Sequence, residues 1–293
     1  GTNKIILDQN GLNYQGLSGS LYLKYSTDGQ SVHIVYMDAT NGWIPTLDEA
    51  VDIPSGNDEG IFGFGTTGSV TAVTNLVSNT GVVSSDFTGV GTARKYLAAC
   101  TYGNDKGIFG GGDDTSLAGY TNLVTNAGVV GTDVTAVMTA RRYLAATEYG
   151  GDKGIFGFGA TTGAGIPVVD ETNLVTNLGV VGTDVTGVGT DRQQLAACGY
   201  GYDKGIFGFG HSDVTRVSMT NLVSNSGVVA ADVTGVGTAR SALAATQYGS
   251  DKGIFSYGGS SDATNLVSNA GVVATDVTQV GTTREGPAAC SFN

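Results

Sequence analysis

Gly103-Asn104-Asp105-Lys106-Gly107-Ile108-Phe109-Gly110, a loop, Thr121-Asn122-Leu123-Val124-Thr125-Asn126-Ala127-Gly128-Val129-Val130, Gly131-Thr132-Asp133-Val134-Thr135 and Thr139-Ala140-Arg141-Arg142-Tyr143-Leu144-Ala145-Ala146 make one copy of a unit found five times between Gly56 and Asn293. The Thr-Asn pair begins at Thr74, Thr121, Thr172, Thr220 and Thr264, at spacings of 47, 51, 48 and 44 residues. A period of about 40–50 with strand-like content is that of a propeller blade, not of a helical repeat. Between the Ile-Phe strand and the Thr-Asn pair lie 8, 8, 12, 9 and 5 residues, and those loops hold all the variation in period. The other 39 residues of each copy are constant in length.

Composition supports the same class. The chain has 293 residues, 48 of them glycine, and only 14% are charged. Disorder needs low hydrophobicity and high charge, and glycine in helix interiors costs about 1 kcal/mol each. Val, Thr, Tyr and Phe alternating with Gly, Asn and Asp make short strands joined by tight turns. The net charge of −12, with 14 thinly spread basic residues, argues against nucleic acid, which requires clustered Lys and Arg. No apolar run is long enough for a membrane span. Gly1-Thr2-Asn3-Lys4 shows neither an initiator Met nor a signal-peptide pattern, as expected of a processed chain or of part of a longer one. Cys100, Cys198 and Cys290 share one repeat position with Thr147 and Thr246, so they read as small packing residues, without disulfide or metal.

Each unit divides into four expected strands. Segment a is Arg-x-x-Leu-Ala-Ala running to a Tyr, as in Arg94 to Tyr102. Segment b follows a turn placed at Asn-Asp or Asp-Lys, segment c holds Thr-Asn-Leu-Val, and segment d holds Val-Val-x-x-Asp-Val-Thr. Small residues suit a strand that approaches its counterparts closely around an axis. The repeat region begins with a segment b and ends with a segment a. Arg284 to Asn293 is therefore expected to pair with Gly60–Gly65 and complete the first blade, which removes an open sheet edge. Glu59 stands at this junction where Lys106, Lys153, Lys204 and Lys252 stand elsewhere.

Charged residues recur in register. Arg94, Arg141, Arg192, Arg240 and Arg284 open segment a, and Asp86, Asp133, Asp184, Asp232 and Asp276 precede Val/Phe-Thr. Residues present in every blade are expected to tie strands or blades together, since an active site needs one asymmetric arrangement. The turn series Asp58, Asp105, Asp152, Asp203 and Asp251 is expected to bond its own backbone. No cofactor is expected; calcium on an aspartate series is the alternative, and no Asp-x-Asp-x-Asp-Gly loop is present. Glycoside cleavage needs two carboxylates about 5–10 Å apart, for which Asp113, Asp114, Asp170 and Glu171 are the candidates. The expectation favoured is recognition without catalysis. The loops Thr66–Val73, Asp113–Tyr120, Ala160–Glu171, His211–Met219 and Gly259–Ala263 all join b to c. They place Asp113, Asp114, Tyr120, Asp170, Glu171, His211 and Arg216 on one face of a constant scaffold.

The Arg at the head of segment a, its small residues, the Ile-Phe-Gly strand ending in glycines and the returning C-terminal strand together resemble kelch-type repeats. The Gly-Gly doublet of that family is here Gly63-Phe64-Gly65 or Gly157-Phe158-Gly159, and Val-Val takes the place of the outer tryptophan. The resemblance implies an all-β fold: a five-bladed kelch-like β-propeller (55–293) closed by the C-terminal strand, with a small N-terminal β module (1–54). Tyr36–Ile44 and the Thr-Asn-Leu-Val-Ser-Asn-x-Gly-Val-Val arrays resemble segments of structural and fibre proteins of tailed bacteriophages. That likeness implies a non-enzymatic virion protein in many copies. It would attach to other virion proteins through residues 1–54 and bind a host surface glycan or protein. A secreted or cell-surface lectin-like module or filament scaffold is the alternative, and a glycan-cleaving enzyme stands behind it.

Overall fold

The computed structural model describes residues 5–7, 12–16, 23–25, 33–46, 59–135, 138–162, 167–277 and 281–291. The expected linker Pro54-Ser55-Gly56 lies outside them. Every regular element among the described residues is a β-strand and none is a helix. The chain divides into two compact units, Gly1–Asp58 and Glu59–Asn293.

Among the described residues the first unit holds two antiparallel pairs: β1 (Ile5–Leu7) with β2 (Leu23–Tyr25), and β3 (Ile34–Asp38) with β4 (Gly42–Pro45). Asp38 closes the second pair by accepting the Thr40 and Asn41 amides at 2.8 and 2.7 Å. Gly42 has φ +69°, and a Cβ there would sit 1.7 Å from the Asn13 carbonyl oxygen, so only glycine fits. Tyr36 packs edge-on against Trp43 with centroids 5.4 Å apart.

The described residues of the second unit form five successive antiparallel sheets. The first pairs β5 (Gly60–Gly63) with β6 (Thr74–Val77). The next two are β7 (Ala98–Tyr102), β8 (Lys106–Gly110), β9 (Thr121–Val124), and β10 (Ala145–Tyr149), β11 (Lys153–Ala160), β12 (Val168–Val175). The last two are β13 (Ala196–Tyr200), β14 (Lys204–Gly208), β15 (Thr220–Val223), and β16 (Ala244–Tyr248), β17 (Lys252–Ser256), β18 (Thr264–Val267). Register repeats from sheet to sheet: Cys100 faces Ile108, Thr147 faces Ile155, Cys198 faces Ile206 and Thr246 faces Ile254. This all-β succession is consistent with a propeller-like arrangement.

Apolar clusters lie between consecutive sheets. Tyr102 and Ile108 of one pack with Leu144, Phe156 and Val175 of the next. The glycine ending each Ile-Phe-Gly lies under the next sheet's phenylalanine: a Cβ at Gly110 would sit 2.7 Å from the Phe156 ring, and one at Gly208 2.7 Å from Phe255. Glycine recurs there because a ring fills the space a side chain would occupy. The Ala-rich strands β7, β10, β13 and β16 lie side by side. They line one cavity of about 160 Å³ together with Ser291. Small side chains make that approach possible.

Three features depart from expectation. The a–b turn sits one step earlier, with positive φ at Gly103-Asn104, Gly150-Gly151, Gly201-Tyr202 and Gly249-Ser250. Two successive positive φ values are the hairpin geometry that matches strand twist. Segment d forms no strand; it touches c through isolated bridges such as Thr121–Val134 and Val124–Val130. The reason is Asn122, whose side-chain amide donates to the Gly131 carbonyl at 3.0 Å and to Asp133 at 2.9 Å. The side chain supplies the cross-link between the two bridges. Finally, β5 pairs with β6 alone among the described residues, and 288–291 belong to no strand.

Candidate functional site

A ladder of buried arginines recurs from sheet to sheet. Arg94, Arg141, Arg192 and Arg240 are 0–1% exposed. Arg94 donates from Nε to the Gly111 carbonyl at 2.8 Å, from Nη1 to the Thr92 carbonyl at 3.1 Å and from Nη2 to Asn122 at 2.7 Å. Its guanidinium also lies 4.2 Å from the Phe64 ring centroid, in the preceding sheet. Arg192 over Phe158 and Arg240 over Phe209 repeat that contact at 4.1 Å, and Arg284 over Tyr257 at 3.7 Å. These aromatic residues occupy φ near +62 to +64°, a left-handed conformation costly for a bulky side chain. Each closes a bulge whose following glycine donates its amide to the next arginine's carbonyl, as Gly65 does to Arg94 at 2.8 Å. The aromatic thus replaces the first glycine of a Gly-Gly doublet and stacks beneath the arginine. Burial lowers Arg192 and Arg240 to about 10, so both stay cationic at neutral pH.

The aspartates of segment d face these arginines at 3.9 Å (Asp133), 3.4 Å (Asp184), 3.5 Å (Asp232) and 4.0 Å (Asp276). Each also accepts a threonine hydroxyl, as Asp133 does from Thr92 at 2.7 Å. Asp86 lacks this arrangement and accepts the Asn75 amide at 3.0 Å. The turn aspartates bond side chains, as Asp105 holds Lys106 at 2.5 Å and Asn126 at 3.2 Å; Asp251 also accepts from its own backbone amide as expected, and Asp58 lies outside the described residues.

The loop residues fall into separate local contacts. Asp113 is ion-paired with Arg142. Asp114 caps its own turn through the Ser116 amide at 2.7 Å, and Tyr120 donates to it at 3.3 Å. Asp170 accepts the Gly189 amide at 3.0 Å. Burial, the Asp170 charge, a hydrogen bond to that carboxyl and the Glu171 and Asp213 charges raise Asp191 above the ordinary carboxylate range. His211 bonds the Ser212 carbonyl. Arg216 reaches Glu285 at 3.3 Å. Glu171 lies close enough to Arg141 for its charge to favour the guanidinium's cationic form.

Sequence reasoning overlooked a rim beside these loops. The residue after three of the four ladder arginines bridges the start of a b–c loop: Lys95 with Asp113, Arg142 with Ala160, Gln193 with His211. The next residues form a chain of backbone hydrogen bonds from sheet to sheet: Tyr143 to Tyr96 (3.0 Å), Gln194 to Tyr143 (3.0 Å), Ala242 to Gln194 (2.9 Å) and Gly286 to Ala242 (2.8 Å). All five hold positive φ, from +52 to +64°. On this repeated backbone the side chains differ: Tyr, Tyr, Gln, Ala, Gly. Tyr96 and Tyr143 stack with centroids 4.3 Å apart and planes 34° apart. The Arg142 guanidinium lies 4.9 Å from Tyr143 and the Lys95 ammonium 5.1 Å from Tyr96. Burial, then hydrogen bonding to Tyr96, pushes the Tyr143 phenol up. The signal lay in the two x positions of Arg-x-x-Leu-Ala-Ala, which vary inside a constant motif.

Among the described residues no group of three or more His, Cys, Asp or Glu is placed to hold a metal ion. No helix among them is long and apolar enough to cross a membrane. Comparison with protein-family models returns no match, and comparison with curated proteins returns none either.

Proposed function

We propose that Glu59–Asn293 closes into a five-bladed propeller, and that the chain is a non-enzymatic virion protein whose loop face binds a host surface glycan or protein. The observation that carries the recognition reading is the rim: five equivalent left-handed positions bearing Tyr96, Tyr143, Gln194, Ala242 and Gly286. A repeated scaffold with one asymmetric set of side chains beside variable loops is suited to binding one partner in one orientation.

Closure is supported by what the first and last sheets leave open. Phe109, Phe156, Phe207 and Phe255 are 0–6% exposed, whereas Phe62 is 62% exposed. A Cβ at Gly128, Gly179, Gly227 or Gly271 would meet a leucine of the preceding copy, whereas one at Gly81 meets nothing within 4 Å. Repeat arithmetic supplies the missing partners: Ser256 for Phe62 and Leu266 for Gly81. It sets Ala288 opposite Gly63 and Cys290 opposite Ile61, with Arg284 on Asn75 and Asp86. The virion setting rests on the likeness of Tyr36–Ile44 and of the Thr-Asn-Leu-Val arrays to bacteriophage structural proteins. Binding of the purified chain to intact host cells, with no release of sugar from their surface glycans, tests the reading. Turnover abolished by replacing Asp113, Asp114, Asp170 or Glu171 would overturn it.

A further inference from the structure

We infer that Tyr96 and Tyr143 form the platform of a saccharide-binding site, with Lys95 and Gln194 as its polar partners; this rests on the recognition reading of the loop face and names its ligand class. The backbone argues first. Tyr96 and Tyr143 sit at φ +59 and +55°, the conformation Gly286 occupies in the last copy at +64°. A bulky side chain is disfavoured there; the scaffold imposes the same left-handed φ on Gln194 and Ala242, so what is particular to these two positions is the pair of aromatic rings they carry. The tyrosines are thus kept where glycine would be the relaxed choice.

Access argues second. Tyr96 is 40% exposed, and its stacking on Tyr143 fixes the ring before any ligand arrives. A pre-ordered aromatic loses little entropy on binding. Next along the rim come Gln194 and then Ala242 and Gly286, which add no bulk on the side away from the tyrosines.

Charge argues third. Lys106, Lys153, Lys204 and Lys252 each pair with the aspartate before them. Among the described residues Lys95 has no ion pair, and it stands beside the exposed ring. The Lys95 ammonium over the Tyr96 ring and the Gln194 amide one step beyond Tyr143 along the rim suit a sugar: its C–H face lies against the exposed part of the Tyr96 ring, and its hydroxyl or carboxylate oxygens accept from Lys95 and Gln194. The site is too poor in cations for a phosphate backbone.

The test is a glycan array of neutral and uronic- or sialic-acid oligosaccharides, probed with the wild-type chain and with Tyr96→Gly, Tyr96→Ala and Lys95→Gln. Val214→Ser, on the same face and 88% exposed, is the control. Both Tyr96 variants are expected to weaken the bound glycan at least about tenfold, the usual scale of one lost stacking contact. Tyr96→Gly should do so with an unchanged or higher melting temperature, because it relaxes the backbone. Lys95→Gln should lose acidic members preferentially. Glycan binding undiminished by either Tyr96 variant would overturn the site and leave recognition standing. Binding to host cells that survives periodate treatment, with no array member bound, would overturn the saccharide class in favour of a protein partner. No binding to array or cells would overturn both.

Discussion

The guanidinium carbon of Arg192, in the segment leading into β13, lies 4.1 Å from the centre of the ring of Phe158 in β11, a strand of the preceding sheet. One cation thereby joins two sheets: Phe158 lies beneath it, Asn221 Oδ1 accepts from Nη2, and the Thr190 carbonyl accepts at 3.0 Å. Removing the cation leaves the 0%-exposed Asn221 short of a donor, a buried polar loss that is expensive. Arg192→Ala is expected to lower unfolding free energy by about 3 kcal/mol, and Phe158→Ala by a similar amount through its cavity. Because they share a contact, the double variant should fall short of the sum. Urea denaturation of the three variants checks this; additive losses would remove the stacking role.

Glycine under a ring gives a second expectation. Gly157→Ala sets a methyl 2.8 Å from Phe207 and should cost about 1–3 kcal/mol by overpacking. Gly131→Ala meets only the Leu123 carbonyl at 3.5 Å and should be neutral or slightly stabilising. Equal melting temperatures for the two variants would contradict the inter-sheet packing described.

Acid should loosen the ladder. At Asp133 and Asp184 burial opposes ionisation, but hydrogen bonds from Thr92 and Asn122, or from Thr139 and Asn173, outweigh it and hold both carboxyls below the ordinary range. Asp276 behaves alike through Thr238 and Asn265. A depressed folded pKa contributes stability above the unfolded value near 4, and that contribution is lost as pH falls through the folded value. Asp191 has the opposite sign: its raised pKa contributes below about pH 4 and is lost as pH rises through its folded value. With Asp38, Asp114 and Asp251 lowered as well, six carboxyls oppose one, so the melting temperature should drop on acidification below about pH 4, and Asp184→Asn should flatten the drop. A melting temperature flat from pH 2 to 7 would exclude this linkage.

Much of the frame was legible because it repeats. Thr-Asn-Leu-Val fixes β6, β9, β12, β15 and β18 in phase, and alternation of Ile with Phe reads as a strand whichever copy is taken. The loss of segment d as a strand was not legible, because it depends on where the Asn122 side chain points. Phe158 at φ +63° was hidden as well: aromatic residues prefer extended backbone, and the Arg192 guanidinium stacked on the ring helps hold it in the left-handed conformation. The rim was hidden for a third reason. Tyr96 and Tyr143 are 47 residues apart in sequence, and only sheet-to-sheet packing sets one ring on the other.

Closure of the ring is tested most directly by a disulfide between the first and last segments. Ile61→Cys should face Cys290 across a strand pair, in the register that sets Cys100 opposite Ile108. Cys100→Thr and Cys198→Thr remove the competing thiols, using the residue found at 147 and 246. Mild oxidation followed by peptide mapping is expected to show an intramolecular bond between positions 61 and 290, since disulfides form only where Cα atoms lie within about 7 Å. Two free thiols, or a bond found only in dimers, would contradict a ring closed by the chain's own C-terminal strand.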